Sequence, residues 1–457
     1  MKKLFFNIIL IYIFINEISS EKLLKIPFKL YQTSKFFYNN PDIIVNRYMN
    51  QLIIELSIGI PFQKFNMSLD LNDNYYSCFL ENNFEYFNFS HLYNKTNSST
   101  YNCEETKKSF PIEQFNQAEV FSDKINFLGN GKMIEKNFKF LLIDTLYKTI
   151  FTPGLIGLAL KFDNRQIDDY SFLYQLKKYK LIDSEIFYFD FEENEKEGKF
   201  ILGENLFNNE NYLKIKVGYI SQASTKLLWS FNFDSVYYGK SKNIGKADGV
   251  FGLNYGMTIG TSDYEEIIKQ FFSKEKNCFL NKTNIGSLYL KYYWCEKENL
   301  IENKIQNLTF ELKSINYNFT FSGKDLFFEE GNKKYFKILF KFELDQPYWY
   351  LGPDFLKKYK IRFDHERKLL YIPLKEDLSK NNKINEGIND FWNLNNLLKS
   401  WQFWTVTILC IVVIGLIVFI IIYIKKYPKK KKVYELDETD NDYDYNKKEH
   451  LAENNIN

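Results

Sequence analysis

One segment near the C-terminus limits what this chain can fold into more than any other feature. Residues 404–424 form an uncharged run of 21 residues, WTVTILCIVVIGLIVFIIIYI. At about 1.5 Å per residue, a helix of that length spans about 31 Å, the thickness of a bilayer core. Six lysines follow within the next eight residues, and such basic clusters mark the cytoplasmic side of a span. We therefore predict a transmembrane helix over residues 401–424 and a cytoplasmic tail over 425–457.

The N-terminus predicts entry into the secretory pathway. Residues 1–20 contain two lysines, then an apolar run over residues 4–15, then two serines. This order is typical of a cleaved signal peptide. With the C-terminal span it predicts a type I single-pass membrane protein, whose ectodomain lies either outside the cell or in the lumen of an endomembrane compartment. Residues 21–47 then form a leader, and the polar residues 375–400 form a stalk.

Four of the five cysteines lie in the predicted ectodomain, where an oxidising compartment lets them pair in three ways. Neighbours in sequence are the favoured partners, which predicts Cys78–Cys103 and Cys278–Cys295. Cys410 lies inside the predicted span and is expected to be free.

Asn-x-Ser/Thr acceptor sequences occur at seven positions of the ectodomain. Asn66 lies in an alternating strand pattern, which argues against its modification. The candidate glycosylation sites are therefore Asn88, Asn94, Asn97, Asn281, Asn307 and Asn318.

Between the leader and the stalk, short apolar runs are separated by Asn, Asp, Gly and Lys, which predicts a mostly β fold. Helical spacing is confined to residues 170–179, 264–272 and 355–359. A net charge of +3 gives no argument for nucleic-acid binding. The three histidines, His91, His365 and His450, have no Cys or other His nearby. We therefore expect no metal, no cofactor and no Ser-His-Asp triad.

Several segments, in order along the chain, resemble the pepsin-like (cathepsin D-like) aspartic peptidases. Residues 58–70, IGIPFQKFNMSLD, are similar to the family segment that delivers its first catalytic aspartate. Residues 98–101 (SSTY), 154–158 (GLIGL) and 257–260 (MTIG) resemble further family segments. The most specific match is to the family pattern ILG-x-x-FL-x-x-YY-x-x-FD, seen here over residues 350–364.

The resemblance implies two pseudo-symmetric β lobes, which we place at residues 48–215 and 216–374, facing each other across a cleft. A peptide or protein segment would bind in that cleft, the lipid bilayer would hold the transmembrane helix, and the protein would be a monomer. The pair Cys278–Cys295 resembles the disulfide of the family's C-terminal lobe. The leader resembles the start of a pro-segment that covers the cleft; a flexible linker is the alternative.

In this family each lobe supplies one aspartate from a D-T/S-G turn, and the two carboxylates share one proton because adjacent like charges cannot both ionise, as in pepsin itself. The first turn here is Asp70-Leu71-Asn72-Asp73. The resemblance places Gly252-Leu253-Asn254 on the second turn, so that Gly252 stands at a vacant second-aspartate position. The family also closes its cleft with a Tyr- and Gly-rich hairpin, the flap. The corresponding residues 110–120 contain neither, and Phe115 is the candidate flap aromatic.

Three functions are consistent with these features. The first is a non-catalytic, membrane-anchored homologue that binds peptides or proteins. The second is an active aspartic endopeptidase that uses Asp70 with an unconventional partner; Asp248 and Asp263 are the carboxylates nearest to Gly252, and both are displaced along the chain. The third is a glycosylated surface-coat or adhesion protein. The sequence alone leaves open whether the chain is an enzyme.

Overall fold

A computed structural model describes most of the ectodomain. The described residues are 22–32, 43–48, 50–71, 77–80, 92–108, 118–143, 152–161, 168–192, 196–206, 211–218, 228–240, 242–253, 256–285, 288–298, 300–342, 348–374 and 415. The chain divides into two units, Met1–Leu378 and Ser379–Asn457. Of the second unit only Gly415 is described. The predicted signal peptide, in the first unit, lies outside these ranges, as do the predicted stalk, the tail and the span apart from Gly415. Within the ranges no helix is long and apolar enough to cross a membrane.

Strands dominate the described residues of the first unit. The first eleven are β1 (Leu24–Gln32), β2 (Asn50–Ile58), β3 (Gln63–Asp70), β4 (Cys78–Leu80), β5 (Asn102–Lys108), β6 (Ala118–Gly129), β7 (Lys132–Ile143), β8 (Gly154–Gly157), β9 (Ile186–Phe191), β10 (Glu197–Leu202) and β11 (Tyr212–Lys216). The remaining strands are β12 (Ser230–Tyr238), β13 (Lys242–Phe251), β14 (Thr258–Ile259), β15 (Cys278–Ile285), β16 (Leu288–Glu296), β17 (Leu308–Leu312), β18 (Tyr317–Phe321), β19 (Phe327–Glu330), β20 (Lys333–Phe336), β21 (Ile338–Lys341), β22 (Tyr348–Leu351), β23 (Arg362–Asp364) and β24 (Leu369–Pro373).

Helices are few and short among the described residues. They are α1 (Ile43–Tyr48), α2 (Phe172–Lys178), α3 (Ser262–Phe272), α4 (Ile301–Lys304) and α5 (Pro353–Tyr359). Single 3-10 turns cover Lys95–Asn97, Asp168–Tyr170 and Lys313–Ile315. In α3 the apolar residues recur at helical spacing, so Tyr264, Ile268 and Phe272 are buried on one face.

The strands form two large sheets, consistent with the two β lobes that the sequence predicts. One sheet has 13 strands in the order β11-β24-β23-β9-β10-β1-β2-β3-β8-β4-β7-β6-β5. The other has 11 strands, in the order β18-β17-β12-β13-β22-β14-β21-β16-β20-β19, with β15 paired to β16. The last two strands of the predicted C-terminal lobe, β23 and β24, belong to the first sheet. The leader supplies β1, which lies inside that sheet.

A four-strand pattern occurs once in each sheet. In the first, β3 pairs parallel with β8, β8 antiparallel with β4, and β4 parallel with β7. In the second, β13 pairs parallel with β22, β22 antiparallel with β14, and β14 parallel with β21. The repeat shows that the two halves are built alike. It also gives a structural alignment of one half on the other that does not depend on sequence motifs.

Aromatic side chains fill much of the core. Phe187 stacks on Phe363 with ring centroids 5.0 Å apart, and Trp229 meets Phe363 edge-on at 5.1 Å. Phe310 meets Trp349 edge-on at 4.9 Å. These are the offset and edge-to-face arrangements that aromatic rings prefer. The unusual aromatic content of the chain, 19%, therefore serves packing.

Candidate functional site

Asp70 lies at the end of a buried strand. The second half of β3 is buried on both faces, and the Asp70 side chain is only 4% exposed. In the parallel pairing of β3 with β8, Asp70 lies opposite Gly157. The carbonyl oxygen of Asp70 accepts a hydrogen bond from the backbone N–H of Leu158 at 2.7 Å. The end of β3 is therefore fixed on the neighbouring segment.

Gly252 lies at the corresponding point of the second sheet. It follows β13 directly, and the parallel pairing of β13 with β22 places Phe251 opposite Leu351. One residue further along, that register sets Gly252 opposite Gly352, as Asp70 is set opposite Gly157. The backbone N–H of Gly252 donates to the carbonyl oxygen of Leu351 at 3.1 Å. The repeated strand pattern thus aligns Gly252 with Asp70.

A chain of hydrogen bonds connects the two turns. The indole N–H of Trp229 donates to the carbonyl oxygen of Leu158 at 2.8 Å, and Leu158 in turn donates to Asp70. On the other side, the N–H of Phe251, which precedes Gly252, donates to the carbonyl oxygen of Trp229 at 2.9 Å. Trp229 is fully buried. Trp229 therefore joins the ends of β8 and β13, through its indole N–H on one side and its backbone carbonyl on the other.

The residues that follow Asp70 and Gly252 are both leucine. Leu71 and Leu253 are each 1% exposed and belong to the same hydrophobic cluster. In the family pattern, a hydroxyl residue at these positions ties the two turns by hydrogen bonds. Leucine has no group that could make this bond, and both leucines are buried in the main hydrophobic core instead.

Neither of the nearby carboxylates is placed beside Gly252. Asp248 lies four residues earlier on β13, about 13 Å along an extended strand. Its carboxylate accepts a hydrogen bond from the Asn232 side chain at 2.6 Å. Asp263 lies in the first turn of α3 and is exposed. The other predicted turn and flap residues, Asn72, Asp73, Asn254 and Phe115, lie outside the described residues.

Cys78 borders the site, which the sequence analysis did not predict. It is the first residue of β4. β4 pairs with β8, and β8 pairs on its other side with β3, the strand that ends at Asp70. Burial and the negative charge of Asp70 both raise the pKa of the Cys78 thiol. The sequence carries no signal for this proximity, because it depends on the sheet order that puts β4 and β3 on either side of β8.

One predicted disulfide is confirmed and the other is wrong. Cys278 and Cys295 are directly opposite each other on β15 and β16 and are bonded. Cys78 and Cys103 are both free thiols, the first buried and the second exposed. Cys78 is on β4 and Cys103 is on β5, and the strands β7 and β6 lie between them. The two cysteines are therefore three interstrand spacings apart, about 14 Å. A disulfide needs its two Cα atoms within about 7 Å of each other.

The predicted glycosylation sites are mostly on the surface. Asn97, Asn281, Asn307 and Asn318 are exposed. Asn94 is half-buried, and its side-chain oxygen accepts hydrogen bonds from the backbone N–H and the hydroxyl of Thr96. Asn88 lies outside the described residues. Among the described residues, no three His, Cys, Asp or Glu side chains form a cluster that could hold a metal ion.

Together, the two sheets and the repeated strand pattern are consistent with a bilobed β protein of the pepsin type, a fold that implies a peptide-binding cleft. Comparison with family models agrees: residues 51–372 match the model of the eukaryotic aspartyl proteases. The match covers most of the chain, which therefore belongs to the eukaryotic aspartyl protease family. A search of curated proteins found no match.

Proposed function

We propose that this chain is a membrane-anchored, non-catalytic aspartic peptidase homologue that binds a peptide or protein segment in its cleft. The observation that carries the proposal is the alignment of Gly252 with Asp70 by the strand registers of the two halves. The first position carries the carboxylate of Asp70, whereas the aligned position carries Gly252, which has only a hydrogen atom as its side chain.

The chemistry of the family needs two carboxylates. One, ionised, activates the attacking water, and the other, protonated, donates to the carbonyl oxygen of the scissile bond. A glycine supplies neither a base nor an acid. Positioned acid and base groups each contribute about 10²–10⁴ in rate, so the loss of one removes most of the catalysis. The buried Leu71 and Leu253 support the same conclusion, because leucine cannot make the hydroxyl tie that the family has at these positions.

Asp70 is the observation that favours the alternative, an active endopeptidase with an unconventional partner. It is a buried carboxylate at the end of β3, where the family has its first aspartate. The endopeptidase chemistry would need a second carboxyl group beside it. Asp248 does not meet this requirement, because it is displaced along β13 and bonded to Asn232.

The two alternatives differ in whether the protein hydrolyses peptides. We expect the purified protein to leave a peptide library intact from acidic to neutral pH, with a product profile identical to that of Asp70→Asn. Cleavage by the wild type that Asp70→Asn abolishes would overturn the proposal and establish the endopeptidase. Comparison with Asp70→Asn also excludes cleavage by contaminating proteases, because contaminants are unaffected by the substitution.

A third variant, Gly252→Asp, tests whether the missing carboxylate is the whole defect. We expect little cleavage from it, because Leu71 and Leu253 still cannot make the hydroxyl tie. The same library, immobilised, tests binding: retention of extended peptides by the wild type supports the cleft as a binding site. Absence of retention would contradict a peptide-binding role and favour a glycosylated coat or adhesion protein.

Membrane anchoring is the remaining part of the proposal. The uncharged residues 404–424 and the lysines that follow them support it. We expect the protein to stay in the membrane fraction after alkaline carbonate extraction and to be released by detergent. We expect a chain ending at Leu374 to be released without detergent. Recovery of the full chain in the carbonate supernatant would contradict the anchor.

A further inference from the structure

We propose that N-linked glycans on Asn281 and Asn318 protect two sheet edges, β15 and β18, from strand pairing with other copies of this chain. The proposal uses the predicted entry into the secretory pathway, where such glycans are attached. It goes beyond the function proposed above, because it holds whether or not the cleft binds or cleaves a peptide.

Five of the described strands pair with a neighbour on one side only. These edge strands are β5 and β11 in the first sheet, and β15, β18 and β19 in the second. The outer side of an edge strand presents backbone N–H and C=O groups with which another strand can pair. Proteins commonly prevent such pairing by placing charged residues in the edge strand. The composition of each edge strand therefore indicates how it is protected.

Three of the five edge strands are rich in charge. The strand β5 reads NCEETKK, with four charged residues, and β11 reads YLKIK, with two lysines. The strand β19 reads FFEE, with two glutamates. Charge is therefore sufficient to account for the protection of these three edges.

The other two edge strands have almost no charge. The strand β15 reads CFLNKTNI, in which Lys282 is the one charged residue, and β18 reads YNFTF, which has none. In β15 the apolar side chains of Phe279 and Leu280 are 42% and 44% exposed. A long edge strand with exposed apolar residues is a site for aggregation. These two edges therefore need another form of protection.

Both of these strands contain a glycosylation acceptor sequence. In β15 it is Asn281-Lys282-Thr283, and in β18 it is Asn318-Phe319-Thr320. The charged edge strands β5, β11 and β19 contain no acceptor asparagine. The acceptors in edge strands thus occur where charge is lacking. A glycan is bulky and polar, so it can replace charge as a barrier to an approaching strand.

The side chain of Asn318 is placed where a glycan can be attached. It is exposed, whereas the next residue, Phe319, is fully buried. Successive side chains of a strand point to opposite faces of the sheet, so Asn318 lies on the solvent face. Glu311 of β17 is opposite Asn318. An added strand would have to place a residue on the other side of Asn318, in the space that the glycan occupies.

Asn281 has the corresponding position on β15. It is exposed, and it lies opposite Tyr292 of β16. Its amide nitrogen donates to the Tyr292 hydroxyl at 3.3 Å. A glycan replaces one of the two hydrogens of the amide group, and the other can still donate to the tyrosine. Attachment of a glycan is therefore compatible with the contact that the side chain makes.

The occupancy of the two asparagines is the first test. Peptide N-glycosidase in heavy-oxygen water converts each glycosylated asparagine to a labelled aspartate, which mass spectrometry of the protein from its native source detects. We expect the label at Asn281 and at Asn318. An unlabelled asparagine at either position would overturn the proposal for that edge.

Self-association of the full chain in detergent is the second test. We expect the double variant Asn281→Gln, Asn318→Gln to form dimers and larger species, measured by light scattering after size exclusion, at concentrations where the wild type does not. Asn307→Gln is the control, because Asn307 is an exposed acceptor that precedes β17, an interior strand. It should behave as the wild type. Equal behaviour of the double variant and Asn307→Gln would contradict protection of the edges.

A lysine variant separates protection of the edges from a general need for glycans in folding. The double variant Asn281→Lys, Asn318→Lys also lacks both glycans, but it places charge in the two strands, as in the other edges. We expect it to associate no more than the wild type. Association equal to that of the glutamine double variant would overturn the proposal. None of these measurements depends on peptide hydrolysis, so failure of this inference and failure of the proposed function are distinguishable.

Discussion

Replacing Trp229 by phenylalanine removes the side-chain hydrogen bond that joins the two halves at the site. The indole N–H donates to the carbonyl oxygen of Leu158 at 2.8 Å, and both residues are fully buried. Phenylalanine has no donor, so this carbonyl loses its partner in a place that water does not reach. Leaving a buried polar group without a partner costs about 1–3 kcal/mol. The loss of packing from the smaller ring adds to this cost.

Trp349 provides a matched control. It is also fully buried, and its indole nitrogen has no hydrogen-bond partner among the described residues. Trp349→Phe therefore removes the same volume but breaks no hydrogen bond. We expect Trp229→Phe to lower the free energy of unfolding by about 1–3 kcal/mol more than Trp349→Phe does. Urea denaturation followed by far-ultraviolet circular dichroism measures both. A Trp349→Phe cost equal to or larger than that of Trp229→Phe would refute the role given to the bond.

Two further predictions concern the free thiols and a partly buried carboxylate. A maleimide should label exposed Cys103 in the native protein, whereas buried Cys78, whose thiol pKa is raised by burial and by Asp70, should react only after unfolding; native labelling of a Cys103→Ser variant at Cys78 would contradict this. Burial opposes ionisation of Asp325, but hydrogen bonds from Lys358 and Ser322 outweigh it and lower the pKa of the carboxyl below its ordinary 3.8. The ionised form therefore contributes stability above that pH, and the contribution is lost as the pH falls through the lowered pKa. Denaturation at several pH values should show Asp325→Asn less stable than the wild type at neutral pH, with a difference that shrinks below pH 3.8; a difference that grows on acidification would contradict the prediction.

Local periodicity predicted the elements whose signal lies within a few residues. Residues 186–191, one of the short apolar runs from which the sequence predicts a mostly β fold, form β9. The helical spacing over residues 264–272 corresponds to α3, which begins two residues earlier, after Thr261. Both elements could be predicted because the spacing of their apolar residues reflects one buried face, and a short window of sequence contains that spacing.

Pairings between distant segments could not be predicted in this way. The proximity of Cys78 and Cys103 in sequence suggested a disulfide, but β6 and β7 lie between their strands. The leader is an ordinary alternating segment in the sequence, and only the sheet shows that it lies between β10 and β2. The bond of Trp229 to Leu158 depends on how the two halves meet. Such contacts depend on sheet order, which a linear pattern does not contain.

The fate of a peptide bound in the cleft tests the central claim most directly. The purified protein, in excess over a library of extended peptides at acidic to neutral pH, allows even one slow turnover to be seen by mass spectrometry. The account predicts that the peptides remain intact and that the wild type and Asp70→Asn give the same spectra, because Gly252 provides no second carboxylate. Cleavage products that appear with the wild type and disappear with Asp70→Asn would contradict it.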